Sequence, residues 1–237
     1  MPLSSDLIIN INGALLPRDE AGVSPFDSLV QGGDGVWEGL RLYAGGIFKL
    51  DAHLDRLIAS ARAMAFADIP SKEALRLQIR RTLEANSMTD GVHIRLTLSR
   101  GTKITSGMDP RLNQAGSTLI VLAEHKPPVY GEKGLRLMTS SIRRFRPDMM
   151  DPRIHHNNLI QSILAKVEAN GAGADDAMML DDRGFIADEL KRGRRVDYGE
   201  IRLANGQRLR GRAGVGTLAY IEIDARLLVP ALLERGV

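Results

Sequence analysis

The sequence contains no cysteine, which excludes disulfides, thiolate-bound metals and a cysteine nucleophile together. That absence suits a reducing compartment, and the expected location is cytoplasmic. Long apolar runs are lacking as well. The first residues, MPLSSDLIININGALLPRDE, have no basic region followed by an extended apolar stretch, and no segment approaches the ~20 apolar residues that span a bilayer. The chain therefore reads as soluble, with no membrane partner. Nor is there a large excess of one charge: Lys+Arg 32 against Asp+Glu 29 leaves a net charge of +3, which a mixed solvated surface explains without nucleic acid. What is present is 237 residues, 43% of them hydrophobic, enough for one large domain or two modest ones.

Apolar patterning and turn residues predict an α+β organisation. LIININGALL is interrupted by Asn12-Gly13, a dipeptide suited to the positive φ angles of a tight hairpin. GLRLYAGGIFKL repeats the device at Ala44-Gly45-Gly46. Asp51 is then expected to cap a helix that buries Leu54, Leu57, Ile58 and Ala61. Pro70 and Ser71 open a second helix, with Leu75, Ile79 and Leu83 inward. HIRLTLSRG alternates like a half-buried strand, whereas STLIVLAEH is a continuous apolar run suited to a fully buried one. Adjacent prolines in KPPVYG remove backbone donors, so the expected division is an N-terminal α/β domain over 1–125, a linker over 126–133 and a second domain from 134 to 188. In the second domain GLRLMTSSIRR reads as a strand, and Asp181-Asp182-Arg183-Gly184 as a turn. Residues 189–237 form a divergent basic tail.

The segment DPRIHHNNLIQSILAKVEAN, 151–170, is an irregular lead-in followed by a helix. The lead-in crowds Arg153, His155, His156, Asn157 and Asn158 where a helix needs only one cap. Adjacent side chains on extended chain diverge, and no third histidine lies nearby, so no metal site is expected. Satisfying exposed backbone at the helix entrance is the simpler reading of the two histidines.

Taken together, GDGVWEGLRLYAGGIFKLDAHLDRL, HIRLTLSRG and NNLIQSILAKVEANGAGADDAMMLDDRGF resemble the fold-type IV pyridoxal-phosphate enzymes over about four-fifths of the chain. That group includes branched-chain and D-amino-acid aminotransferases and aminodeoxychorismate lyase. Gly-Asp-Gly-x-x-Glu-Gly-x-Arg and the Ile-Arg strand are most similar to the branched-chain type. The resemblance implies a two-domain α+β fold, its second domain truncated or altered. It also implies pyridoxal 5'-phosphate as cofactor, transfer of an amino group between a branched-chain amino acid and 2-oxoglutarate, and a homodimer. A D-amino-acid transaminase, an aminodeoxychorismate lyase and a catalytically dead cofactor-binding protein are the alternatives.

The same resemblance assigns roles. Arg41 matches the arginine that grips the cofactor phosphate, a task a planar guanidinium performs bidentately. Arg95 matches the residue near the substrate carboxylate, and its apolar strand favours a paired charge. Trp37 and Tyr43 either wall an apolar substrate pocket or belong to the core. Asp188 stands where a glutamate pairs with the pyridine nitrogen, and neighbouring Glu189 shares that assignment. Asn158 replaces a tyrosine of the branched-chain type at the cofactor. The Schiff-base lysine should fall at position 153 in branched-chain spacing or 155 in D-amino-acid spacing, and those positions hold Arg153 and His155. A guanidinium stays protonated and an imidazole is not a primary amine, so neither replaces it. Lys166 is the nearest lysine, more than three helical turns along.

Beyond Asp188 the match weakens. Between Leu190 and Gly214 arginines dominate and apolar periodicity fades, and Gly214-Val215-Gly216-Thr217 matches the family's phosphate-holding turn only in part. A reading-frame shift after about Asp188 would produce such a tail. RNA binding is not expected, since only Tyr198 and Tyr220 interleave the basic residues.

Overall fold

The computed structural model describes residues 6–44, 46–126 and 136–184, together with the backbone of three strands within 196–222. The chain divides into two compact units. One comprises Met1–Val129 and Ile154–Asn158; the other comprises Tyr130–Arg153 and Leu159–Val237.

The first unit is built on six antiparallel strands. They are β1 (Ile8–Ile11), β2 (Ala14–Pro17), β3 (Gly35–Tyr43), β4 (Gly46–Ile47), β5 (Val92–Ser99) and β6 (Thr118–His125), in the order β2-β1-β6-β5-β3-β4. Asn12 and Gly13 adopt φ values of 52° and 86°, the mirror-image turn that matches strand twist, so the first hairpin closes as its sequence requires. A short helix, α1 (Ser28–Gly32), precedes β3, and its cap Asp27 accepts a hydrogen bond from Leu29 N at 2.8 Å.

Two longer helices, α2 (Leu50–Ala63) and α3 (Lys72–Ala85), supply Leu54, Leu57, Leu75 and Ile79 to the core. These pack against Val36, Leu40, Ile94, Leu96, Leu98 and Val121 of the sheet. Complete burial of each such side chain contributes about 1.5–3 kcal/mol, which makes this face the principal source of stability. Ser71 caps α3 through Ala74 N at 3.1 Å. Asp51 does not cap α2: the helix starts one residue earlier, behind Lys49 at φ 47°, and Asp51 lies in the first turn, where its carboxylate favours the helix dipole and pairs with Arg76 of α3.

Strand β6 corrects the expectation of full burial. Leu119, Val121 and Ala123 are buried, whereas Ile120 and Leu122 are half-buried on the opposite face. That second face is the polar one. The register aligns Trp37, Gly39 and Arg41 of β3 with Thr97, Arg95 and His93 of β5, and the latter three with Ile120, Leu122 and Glu124 of β6.

The second unit contains β7 (Leu137–Arg143) and β8 (Asp176–Leu180), paired in parallel and connected through α4 (Ile160–Gly171). Small Ala165 and Ala169 of α4 are buried, while Ile160, Ile163, Leu164 and Val167 are exposed among the described residues. Asp181 O accepts a hydrogen bond from Gly184 N at 3.1 Å, closing the turn after β8. The basic segment, expected to lack regular patterning, nevertheless contains backbone pairing: β9 (Val196–Arg202), β10 (Arg208–Ala213) and β11 (Ile221–Glu222) form an antiparallel sheet. Backbone donors and acceptors pair regardless of side-chain pattern, which is why periodicity alone missed these strands.

Close packing of the loop after β5 depends on Gly101, whose φ is +106° and whose added Cβ would stand 1.8 Å from Gly116 O. Gly91 has a φ of +66° but open space around it. Gly101→Ala should therefore cost at least about 3 kcal/mol, by backbone collision as well as conformational strain, and Gly91→Ala about 1 kcal/mol, by strain alone. Denaturant unfolding of both variants checks the difference; equal costs would contradict it.

Candidate functional site

Strand β3 has one incomplete edge. Strand β4 pairs with it only at Leu42 and Tyr43, leaving the backbone from Gly35 onward without a neighbouring strand. Residues 154–158 occupy that position. Asn157 N donates to Gly35 O at 2.8 Å, Trp37 N donates to His155 O at 3.0 Å, and Val36 and His156 form an antiparallel bridge. The crowded polar lead-in thus acts as a substitute strand, which backbone donors at a sheet edge require.

The two histidines have distinct roles and opposite tautomers. His155 Nδ1 lies 2.6 Å from Trp37 O; a carbonyl only accepts, so this nitrogen carries a proton. His156 Nδ1 instead accepts from Asn158 N at 3.1 Å, which leaves its proton on Nε2. The His155 ring stacks on Trp37 with centroids 4.4 Å apart, and Arg95 covers Trp37 with its guanidinium carbon 3.6 Å from the ring centroid. The result is a cation, indole and imidazole layered together.

Beneath this layer lies Glu38, fully buried on the helix-facing side of β3. It accepts from His53 Nδ1 at 2.8 Å and Arg56 Nε at 2.5 Å, with a second bond from the Arg56 guanidinium, and His155 Nδ1 stands 3.7 Å away. Burial opposes the charge on Glu38, yet hydrogen bonds from Arg56, His155 and His53 and the charge of Arg56 outweigh it, holding the carboxyl well below its ordinary range. Sequence reading missed this cluster. Its available signal was the spacing of His53 and Arg56, one helical turn apart on α2, combined with a glutamate at a core-facing position of β3.

The predicted site residues separate into groups. Arg41 and Arg95 share the polar face of the sheet, two residues apart across β3 and β5. Burial draws the pKa of Arg95 below its ordinary value, and a guanidinium remains charged at neutral pH. Among the described residues Arg95 has no carboxylate partner, and its guanidinium lies over the Trp37 ring. Arg41 likewise has no ion pair among the described residues. Between them, His93 has a lowered pKa, first through burial and then through Lys126, Arg41 and Arg95, with Glu124 acting in the opposite sense. The positive charge of this face therefore comes from the guanidiniums, with Glu124 of β6 on the same face.

Trp37 and Tyr43 do not form one wall. They are six residues apart on β3, about 20 Å by strand rise, and Tyr43 is 53% exposed, so it is not a core residue either. Asn158 is exposed at the end of the substitute strand, whereas Asn157 Oδ1 is a buried acceptor with no partner among the described residues. Arg153, in the second unit, is exposed and closes a local turn with Asp151: its backbone N and its Nε donate to the carboxylate at 3.0 Å and 2.9 Å. Lys166 is held to the carbonyl of Asp175. Asp188 and Glu189 lie outside the described residues. Among the described residues no helix is long and apolar enough to cross a membrane, and no three potential ligands gather around a metal position.

The antiparallel sheet with two helices on one face, followed by a parallel strand pair with its connecting helix, defines the fold-type IV architecture. The sequence profile described as amino-transferase class IV matches residues 35–189, and the chain belongs to that family. It is 53% identical over 189 residues to branched-chain-amino-acid aminotransferase-like protein 2 of Arabidopsis thaliana, covering 79% of this chain and 34% of that one. A putative branched-chain-amino-acid aminotransferase of Methanocaldococcus jannaschii is 41% identical over 182 residues, 76% of this chain and 62% of that one. Among solved structures, the branched-chain amino acid aminotransferase of T.th. with pyridoxamine 5'-phosphate aligns with a TM-score of 0.69 at 32% identity, covering 77% of this chain and 61% of the other. The chain thus spans about a third of the plant relative and about three-fifths of the others.

Glu38 generates a pH prediction. Its folded pKa lies below the ordinary value of 4.5, so its stabilisation is complete above that value and is lost as pH falls below it. Glu38→Gln should lower stability at neutral pH by about 3 kcal/mol, by removing the buried carboxylate charge that Arg56 pairs with, and should flatten the decline below that pH. Urea unfolding over a pH series measures both; an unchanged acid limb would contradict the assignment.

Proposed function

We propose that this chain is a pyridoxal-phosphate-binding member of the branched-chain-amino-acid aminotransferase type, in which anionic groups are still recognised but covalent attachment of the cofactor has been lost. The observation that carries this reading is the pair of guanidiniums, Arg41 and Arg95, on the polar sheet face without carboxylate partners among the described residues. A cation kept half-buried without a protein counter-charge suits an anionic ligand. Arg41 would take the phosphate. Arg95, immobilised on Trp37, would take the carboxylate of a branched-chain amino acid or of a 2-oxo acid such as 2-oxoglutarate. Asn157 Oδ1 offers a further acceptor. Asp188 and Glu189 are proposed as partners of the pyridine nitrogen, and the assembly is proposed to be a homodimer, on family resemblance.

Pyridoxal 5'-phosphate, when bound, supplies the aldehyde and the electron sink that transamination needs. The donor set fits holding the phosphate and does not fit covalent anchoring. Position 153 bears an exposed guanidinium engaged by Asp151, and the Lys166 amine is engaged by Asp175 O. Among the described residues, neither position 153 nor Lys166 offers a free amine to hold the aldehyde and move a proton.

The test is to equilibrate the protein with pyridoxal 5'-phosphate, measure retention by equilibrium dialysis, reduce with borohydride and map the labelled peptides. Saturable retention without label in residues 151–170 is expected, with label appearing at position 153 in Arg153→Lys. Arg41→Ala should weaken retention at least about tenfold, the loss of roughly one charge-assisted contact. Specific label at Lys166 in the unaltered protein would overturn the loss of anchoring, and absence of saturable retention would overturn the binding reading.

A further inference from the structure

The polar lead-in at 154–158 has a use beyond closing a helix. Strand β3 could have been completed by any extended segment, yet His155 contributes far more than its peptide group. Its N–H donates to Ser60 Oγ at 3.0 Å, its carbonyl accepts from Trp37 N at 3.0 Å, and its ring donates to Trp37 O at 2.6 Å while stacking on the same indole. Both backbone groups of Trp37 are thus satisfied by one residue. The indole N–H completes the clasp by donating to His156 O at 3.1 Å.

The groups facing the ring come from three elements: Glu38 and Trp37 from β3, Arg95 from β5 across the indole, and Ser60 from α2. Only 13% of the His155 side chain is exposed. An imidazole is the one side chain here that combines a flat ring for stacking with a donor at its second atom from Cβ. Phenylalanine would keep the stack and lose the donor; glutamine would keep a donor and lose the stack.

We propose that His155 is a positioning residue: it seats residues 154–158 on the free edge of β3 and thereby fixes Ile154, the residue from which the chain continues back to position 153. This rests on the proposed function only for the meaning of position 153, where the family resemblance places the anchoring amine. The seating itself is independent of any cofactor. The sole tryptophan of the chain is Trp37, so its emission reports the state of the clasp directly.

The experiment combines hydrogen exchange with the covalent label. In the full-length protein, His155→Phe and His155→Gln should each raise exchange at least tenfold in peptides covering 154–158 and the start of β3. Protection of α3 should stay within twofold, and tryptophan emission should move to longer wavelength. His53→Gln, which removes a Glu38 donor without touching the lead-in, should leave 154–158 protected. Unchanged protection in both His155 variants would overturn the proposal. So would loss spread evenly over α2, α3 and β5, which would make His155 an ordinary core residue. In the Arg153→Lys background, His155→Phe should reduce borohydride labelling at position 153 at least fivefold, and undiminished labelling would overturn the positioning role. If Arg153→Lys alone takes no label, the anchoring part of the proposed function fails, whereas the exchange result still decides the clasp.

Discussion

A carboxylate buried among aliphatic side chains is costly unless its oxygens are fully engaged. Glu38 is such a group, and meeting its requirement draws three separate parts of the chain together: β3, which carries it; α2, which contributes His53 and Arg56; and the lead-in to α4, which contributes His155. His53, Arg56 and His155 are 15, 18 and 117 residues from Glu38 in sequence. The distant contact is the consequential one. It returns residues 154–158 to the first unit after the chain has entered the second, and it sets their backbone against the free edge of β3.

On the polar face of the sheet, charge is arranged without being cancelled. Arg56 is consumed by Glu38, but Arg41 and Arg95 are not consumed by any carboxylate among the described residues. Stacking on Trp37 restrains Arg95 and leaves its hydrogen-bonding edge available, which a salt bridge would not. Such a surface suits the anion recognition proposed for it. Position 153, where the family resemblance places a nucleophilic amine, holds a guanidinium instead. Binding and covalent capture are separable functions, because a guanidinium recognises charge and shape, whereas capture of an aldehyde demands an unprotonated primary amine.

Much of the first unit was legible locally. Asn12-Gly13, Ser71 and the apolar spacing of α2 and α3 depend on interactions within a few residues, so their sequence signals are direct. The exceptions are instructive. Asp51 has the chemistry of a cap but is drawn toward Arg76. STLIVLAEH reads as buried throughout, although its second face looks onto the polar layer. Arg95 lies in a largely apolar strand, and the ring its guanidinium covers belongs to another strand. Its identity follows from sheet register.

By itself, the sequence determined the family, the strand and helix alternation, and the absence of a lysine at 153. Each of these is written in residue identity or in short-range periodicity. Tertiary structure alone decided what the crowded segment Arg153 to Asn158 does. Folding sorts it into an exposed turn at Arg153, a clasp at His155, a substitute strand through Asn157 and an exposed end at Asn158. The physical reason is that the partners of these side chains, Trp37, Glu38 and Ser60, lie about a hundred residues upstream, and only packing of the sheet against α2 brings them within hydrogen-bonding reach.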